Sequence, residues 1–472
     1  FKLKIQMYLI IDQGTSSTKA FLFNSNGRIT YQKKIKHKLY KPYTNHIECD
    51  ALEIVEACKT LIKTLIKVSG DNIISMGLSV QRSTFLFWDR KKISPLTIAL
   101  SWQDSRAKDV VKKLKNNSEW IYKKTGLPLS PHFGGPKFMK MIDASPSLKK
   151  KVDDGSAVFG TLSSYITHSL TKNLVIDHTI ASRTLLLNIN NCQWSNKCLE
   201  LFKIPKKCLP TIKPTFYNFG KVLKYDFNLQ CVIGDQQAAL IGQNGFTEKS
   251  IGANFGTSAS ILFNSGNRPI MIKGLITSIF YSNNNNKMYV SEGTINACNA
   301  LFYYLEEILN IKHSEMNWGD RCKNKKTNGF FISSFSGIAA PYWLSGFNDI
   351  YYDLNKNNKN EIIRAGMESI GLLVNDIIDM LKNNIDLNST LITASGGAAK
   401  DSLLQFISDI TGQIISRPQI RDKTAIGVFR ILTNNNNIID LNKNDDVFYP
   451  VKNRNKMNLK INKWRKIISS IS

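Results

Sequence analysis

One pattern occurs twice in this chain, once in each half, and it limits the fold more than any other feature. In the first half, Tyr8-Leu9-Ile10-Ile11 leads into Asp12-Gln13-Gly14-Thr15-Ser16-Ser17-Thr18-Lys19, and strand-forming residues resume at Ala20-Phe21-Leu22-Phe23. A second turn, Asn24–Arg28, precedes Ile29-Thr30-Tyr31. Apolar β-favouring runs on either side of a Gly, Ser and Thr segment predict a hairpin whose loop carries polar groups. In the second half, Ser250-Ile251-Gly252-Ala253-Asn254-Phe255 leads into Gly256-Thr257-Ser258-Ala259-Ser260 and then Ile261-Leu262-Phe263. Two such hairpins predict a duplicated α/β domain with a cleft between the copies.

Helices fall between the strands. Ala51–Val68 places Leu52, Val55, Leu61 and Leu65 at helical spacing, and Lys359–Leu381 does so with Ile363, Met367, Ile370, Leu373, Ile377 and Leu381. Strands alternating with helices imply mixed α/β layers. At 472 residues the chain exceeds what one hydrophobic core organises. A boundary within Ile241–Lys249 gives an N-terminal domain, 1–242, and a C-terminal domain, 243–472. The low-complexity Asn283–Asn286 reads as a surface loop.

Composition removes several function classes. No apolar run reaches the roughly 20 residues that span a bilayer. The first residues enter a strand without the zones of a signal peptide. Eight scattered Cys include no Cys-x-x-Cys, which predicts a reducing, cytoplasmic setting and no structural zinc; six scattered His give no metal cluster. The net charge of +27 comes from Lys spread along the whole chain, part of a general bias towards Lys, Asn and Ile seen also in Asn434–Asn437, not from one basic patch. A diffuse positive field suits anionic substrates such as ATP better than a nucleic-acid partner.

Four segments carry groups suited to phosphoryl transfer. Backbone N–H groups and hydroxyls in Gly14–Ser17 can face phosphate oxygens, Lys19 adds charge, and Asp12 at a strand end can hold Mg²⁺ through its waters. Gly256-Thr257-Ser258 offers the same chemistry from the other half. Ser395-Gly396-Gly397-Ala398-Ala399-Lys400 lies between the strand 390–394 and a helix over 402–411, where glycines admit a nucleotide close to the backbone. Gly234-Asp235-Gln236 follows the strand 230–233, and Asp235 can take the proton of an attacking hydroxyl. Taken singly, each admits a plainer reading: a hairpin turn, a strand-to-helix turn, or an Asp capping a helix.

In this order the four segments resemble the FGGY carbohydrate kinases, over nearly the whole chain. One family motif is recognisable in Ser130-Pro131-His132-Phe133-Gly134-Gly135-Pro136-Lys137, the other in Gly396-Gly397, Gln405, Asp409 and Gly412. The resemblance implies two duplicated actin- and hexokinase-like (ribonuclease H-like) ATPase domains of the α/β class. It also implies ATP-dependent phosphorylation of a small polyol or sugar, Mg²⁺, and a homodimer or homotetramer. By it, Asp235 would be the base and Asp12 would place the metal. Thr15, Ser16, Ser17, Lys19, Gly256 and Thr257 would meet phosphates, and Gly396, Gly397 and Ala398 would border the adenosine. Arg82, Ser83, Trp102, His132, Asp235 and Gln236 would face the acceptor.

Within the family the chain looks most like the glycerol kinase branch, in Ser101-Trp102-Gln103-Asp104-Ser105-Arg106, Thr125–Ser130, Ala181-Ser182-Arg183-Thr184, Gly234–Gln243 and Ala340-Pro341-Tyr342-Trp343. Three departures stand out. Ser83 replaces a Glu that accepts glycerol hydroxyls in that branch, and His132 replaces a Tyr, so glycerol loses two of its contacts. Phe429-Arg430 are bulkier than the small residues expected in that helix, which predicts a shortened final region and an altered nucleotide pocket. Three alternatives follow: a kinase for another acceptor such as xylulose, an actin-like ATPase that phosphorylates no metabolite, and a degenerate kinase that only binds.

Overall fold

In this computed structural model, residues 6–471 are described apart from 324, 345, 388–389, 420 and 435–444. Three antiparallel strands open the first half: β1 (Met7–Gln13), β2 (Ser17–Asn24) and β3 (Ile29–Lys36). Helix α1 (Ala51–Ser69) follows, with the Asp50 carboxylate accepting from the Leu52 and Glu53 N–H groups at its start. Its buried face runs through Ile54, Val55, Cys58, Leu61, Ile62 and Leu65. Leu52, expected on that face, is 48% exposed because it lies one step off the stripe. Strand β4 (Ile73–Val80) returns parallel to β1. After an excursion that includes α2 (Gly134–Asp143), β5 (Asn228–Gly234) pairs parallel with β4 and runs into α3 (Asp235–Asn244).

The second half repeats the plan. Its strands are β6 (Ile251–Phe255), β7 (Ala259–Gly266), β8 (Ile276–Ser282) and β9 (Lys287–Ile295). Helix α4 (Lys359–Lys382) leads to β10 (Ile392–Ser395), α5 (Asp401–Thr411), β11 (Ile415–Arg417) and α6 (Lys423–Thr433). The first sheet has the order β3-β2-β1-β4-β5, and the second contains β9-β7-β6-β10-β11 with the same parallel and antiparallel pairings. The expected duplicated α/β architecture is therefore present, with both expected hairpins. Helix α4 buries all six of its predicted apolar positions. Asn283–Asn286 forms the tight turn from β8 to β9, closed by the Asn283 N–H donating to the Asn286 carbonyl at 2.9 Å.

Helices α3 and α6 cross between the sheets. A Cβ placed on Gly427 would lie 1.9 Å from the Ala238 carbonyl oxygen, and one on Gly242 would lie 1.9 Å from that of Lys423. Only glycines allow the two backbones to approach this closely. Around the crossing, Ile10, Phe21 and Phe23 of the first sheet meet Leu262, Phe280 and Val290 of the second in one core.

The expected disturbance at Phe429 and Arg430 does not arise in the nucleotide segment. Phe429 stacks on Phe23 at 4.8 Å and meets Tyr8 edge-on at 5.3 Å. Arg430 donates from Nη1 to the Ile241 carbonyl at 2.9 Å. Both bulky side chains fill the joint between the halves. After them, Asp446–Phe448 forms a strand and Asn455–Ser469 a helix; residues 435–437 of the Asn434–Asn437 run lie outside the described residues. All eight cysteines are buried and unpaired. Among the described residues, no helix is long and apolar enough to cross a membrane.

Candidate active site

Strands β1, β4 and β5 are parallel neighbours and end at one level, with Gln13 opposite Val80 and Val80 opposite Gly234. Their ends therefore bring Asp12, Arg82 and Asp235 together from three distant parts of the sequence. Such a carboxyl-end edge is where open α/β sheets hold ligands. Asp235 is the first residue of α3, and the cap is Gly234, so the carboxylate is not engaged as a helix cap. Its Oδ1 accepts from the Gln236 N–H at 2.9 Å and lies 3.6 Å from Arg82 Nε. Burial raises the Asp235 carboxyl above its ordinary value, against the attraction of Arg82. Burial and then repulsion from Asp235 push Asp12 up to about 7, against Lys19.

Arg82 is fixed by a partner that the sequence reading missed. Its Nη1 and Nη2 donate to Glu292 Oε2 and Oε1 at 2.7 and 2.9 Å. Arg183 donates to the same carboxylate at 3.3 Å. Glu292 is fully buried; burial works against its charge, yet Arg183 and Arg82 outweigh that and hold it at about 2. Arg82 also donates to Gln237 Oε1 at 3.3 Å, and Gln237 is the buried neighbour of the half-buried Gln236. The available signal was a lone acid in the apolar strand Met288–Ile295, where a charge needs a partner.

The acceptor-side candidates converge, though not all with free groups. Ser83 adopts φ +59° and donates its hydroxyl to the Arg183 carbonyl at 3.1 Å, so that hydroxyl is already engaged. Trp102 Nε1 donates to Thr15 Oγ1 at 3.0 Å, which ties the Trp102 segment to the Gly14–Ser17 loop. His132 Nδ1 lies 3.1 Å from the Trp102 carbonyl oxygen. A carbonyl only accepts, so Nδ1 carries the proton and Nε2 presents a lone pair. Burial, followed by the charge of Lys137, lowers His132 to about 4.

On the phosphate side, the Gly14 N–H closes the first loop on the Ser17 carbonyl at 2.9 Å, leaving Ser16 exposed and Ser17 buried at the start of β2. Lys19 sits inside β2 opposite Asp12, and its Nζ pairs with Asp422 Oδ1 at 2.9 Å. Its charge is thus directed across the halves and is already partnered. In the second loop, the Thr257 carbonyl accepts from Cys298 and Ala300 N–H groups, which holds the loop on the following helix. Gly396 has φ +100°, and a Cβ there would meet the Phe255 carbonyl oxygen at 2.2 Å. Gly397 faces open space. Ala398 differs from the expectation: it is fully buried and its N–H donates to the Phe255 carbonyl at 2.9 Å, so it shapes the turn and presents no surface. Further along, Gln405 Nε2 donates to Asp409 Oδ1 at 2.9 Å, and Gly412 caps α5 in the left-handed region.

Among the described residues, no group of three or more His, Cys, Asp or Glu is arranged around a metal position. Asp12 and Asp235 nevertheless offer two hard oxygen donors that repel one another. That suits Mg²⁺, which takes one or two carboxylates and completes its shell with water and phosphate oxygens.

With this geometry in view, two family models match the chain. The FGGY carbohydrate kinase N-terminal domain covers residues 7–242, and its C-terminal domain covers 252–432. Glycerol kinase 1 of Saccharolobus solfataricus is 34% identical over 431 residues, spanning 89% of this chain and 86% of that protein. Glycerol kinase of Oceanobacillus iheyensis is 32% identical over 436 residues, 89% and 87%. The Plasmodium falciparum glycerol kinase crystallised with ADP superposes with TM-score 0.89 at 31% identity, over 99% of this chain and 98% of that one. Gluconate kinase from Lactobacillus acidophilus, at 21% identity and TM-score 0.84, shares the fold.

Proposed function

The chain belongs to the FGGY family of carbohydrate kinases and is an ATP-dependent kinase, and on that premise we propose that its acceptor is a small polyol, glycerol first, with Asp235 as general base. In the proposed reaction Asp235 takes the hydroxyl proton, and the acceptor oxygen forms a bond to the γ-phosphorus. The bond from that phosphorus to the bridging oxygen breaks, and ADP leaves. Arg82, held rigid by Glu292, orients the acceptor. The Gly14–Ser16 and Gly256–Thr257 loops face the phosphates with backbone N–H groups and hydroxyls. Asp12, with Asp235 beside it, would hold Mg²⁺, which would offset phosphate charge when bound.

The observation that supports this reading is the meeting of Asp235, Asp12 and Arg82 at the ends of three parallel strands, with Asp235 Oδ1 3.6 Å from Arg82 Nε. The identity to glycerol kinases supports glycerol as the first acceptor to test. One observation favours a second reading. Ser83 brings no carboxylate to the acceptor side, and its hydroxyl is engaged by the Arg183 carbonyl, so this position offers glycerol no hydroxyl acceptor and favours a different acceptor such as xylulose. An ADP-release assay over glycerol, xylulose and other polyols and sugars tests both. Release that no acceptor accelerates sinks the proposed small-polyol acceptor, and turnover on a sugar but not on glycerol selects the second.

A further inference from the structure

Lys137 lies in α2, five residues after His132, and is fully buried. A buried ammonium is costly unless its protons are bonded. Here Nζ donates to the Ser83 carbonyl at 3.1 Å and to the Ser101 carbonyl at 2.7 Å, and it lies 5.5 Å from the centre of the Phe85 ring. Burial lowers the group to about 7, against the attraction of Asp104, which shows how far the site disfavours a charge. A Met or Leu would fill the same space without that cost. What the lysine adds is two hydrogen bonds.

Those bonds join the two loops that carry the acceptor-side residues. Ser83 directly follows Arg82, and Ser101 directly precedes Trp102. The Trp102 N–H donates to Thr84 Oγ1 at 3.2 Å, and the Trp102 carbonyl holds His132. One ammonium thus gathers the backbone beneath Arg82, Trp102 and His132; the segments at Gly256 and Gly396 lie on the other sheet, and the Gly14–Ser16 loop meets this side through the Trp102 Nε1 bond to Thr15 Oγ1. We propose that Lys137 is a positioning residue for the phosphoryl acceptor, a small polyol or sugar: it draws the Ser83 and Ser101 carbonyls to one point and so fixes the spacing of Arg82 and Trp102. This rests on the kinase reading given above.

The test compares the full-length wild type with Lys137→Met, which removes both bonds, and Lys137→Gln, which keeps two N–H donors on a shorter stem. Acceptor binding is measured by calorimetry with glycerol and with xylulose on protein saturated with a non-hydrolysable ATP analogue, and kcat and both KM values are measured where turnover occurs. For Lys137→Met the acceptor Kd and KM rise about tenfold or more, since small misplacements of positioning groups are felt strongly. The ATP KM stays within about twofold, and Lys137→Gln recovers part of the loss. Equal acceptor constants in wild type and Lys137→Met overturn the proposal while leaving the kinase reading intact. So does a parallel rise in the ATP and acceptor constants. Loss of folding in both variants, read by near-ultraviolet circular dichroism and ADP binding, also overturns it, because the ammonium then maintains the domain and not the two loops. A wild type that binds neither glycerol nor xylulose overturns the acceptor reading on which the proposal rests, and the proposal with it.

Discussion

Arg82 and Glu292 meet through two parallel hydrogen bonds of 2.7 and 2.9 Å, one residue from each half of the chain. Planar guanidinium and carboxylate groups match in this arrangement, which fixes direction as well as distance. The pair is buried and shared with Arg183, so Glu292→Gln takes the carboxylate from two buried guanidinium groups and leaves Arg82 with Asp235 alone, at 3.6 Å. Breaking a buried pair from one side costs about 3–5 kcal/mol. Urea denaturation of Glu292→Gln is expected to show a loss of that size, with a weakened acceptor KM. A change below about 1 kcal/mol would mean that the pair does not hold the halves together.

Asp235→Asn keeps shape and removes the base. Turnover is expected to fall about 100-fold or more, while ADP binding stays within a few-fold. Activity within about fivefold of wild type would rule Asp235 out as the base.

Gly427→Ala tests the helix crossing. The added methyl group would meet the Ala238 carbonyl at 1.9 Å, and α3 and α6 must move apart. Overpacking of this kind costs about 1–3 kcal/mol. A lower thermal midpoint is expected; an unchanged midpoint would show that the crossing has slack.

His132 is expected to stay neutral through mildly acidic pH. Its ordinary value of 6.5 is lowered to about 4 by burial and by Lys137. As pH falls from 6.5, the unfolded chain takes up this proton before the folded one, so this group destabilises the fold between about 6.5 and 4. NMR titration of the imidazole, assigned with His132→Phe, checks the value. A midpoint near 6.5 would show that the ring is open to water.

Both Gly, Ser and Thr hairpins, the helices 51–68 and 359–381, the glycine turn at Gly396 and the placement of Asp235 after a strand were legible in the sequence, because local pattern determines them. Period-two and period-3.6 apolar spacing and Gly or polar turns act over a few residues. The strongest local signals, repeated once per half, also fixed the duplicated α/β plan. Tertiary structure decided what those groups touch. Nothing near Lys19 announces Asp422, nothing near Arg82 announces Glu292, and Ser83 shows its engaged hydroxyl only once Arg183 is beside it. Phe429 and Arg430 read as a threat to the nucleotide pocket because the sequence does not say which face of α6 meets the first sheet. Partners of buried charges are chosen by strand register and helix crossing between distant segments, and those are set by packing of the whole chain. The repeated hairpin thus determined what kind of protein this is, while the alignment of β1, β4 and β5 determined which side chains form its site.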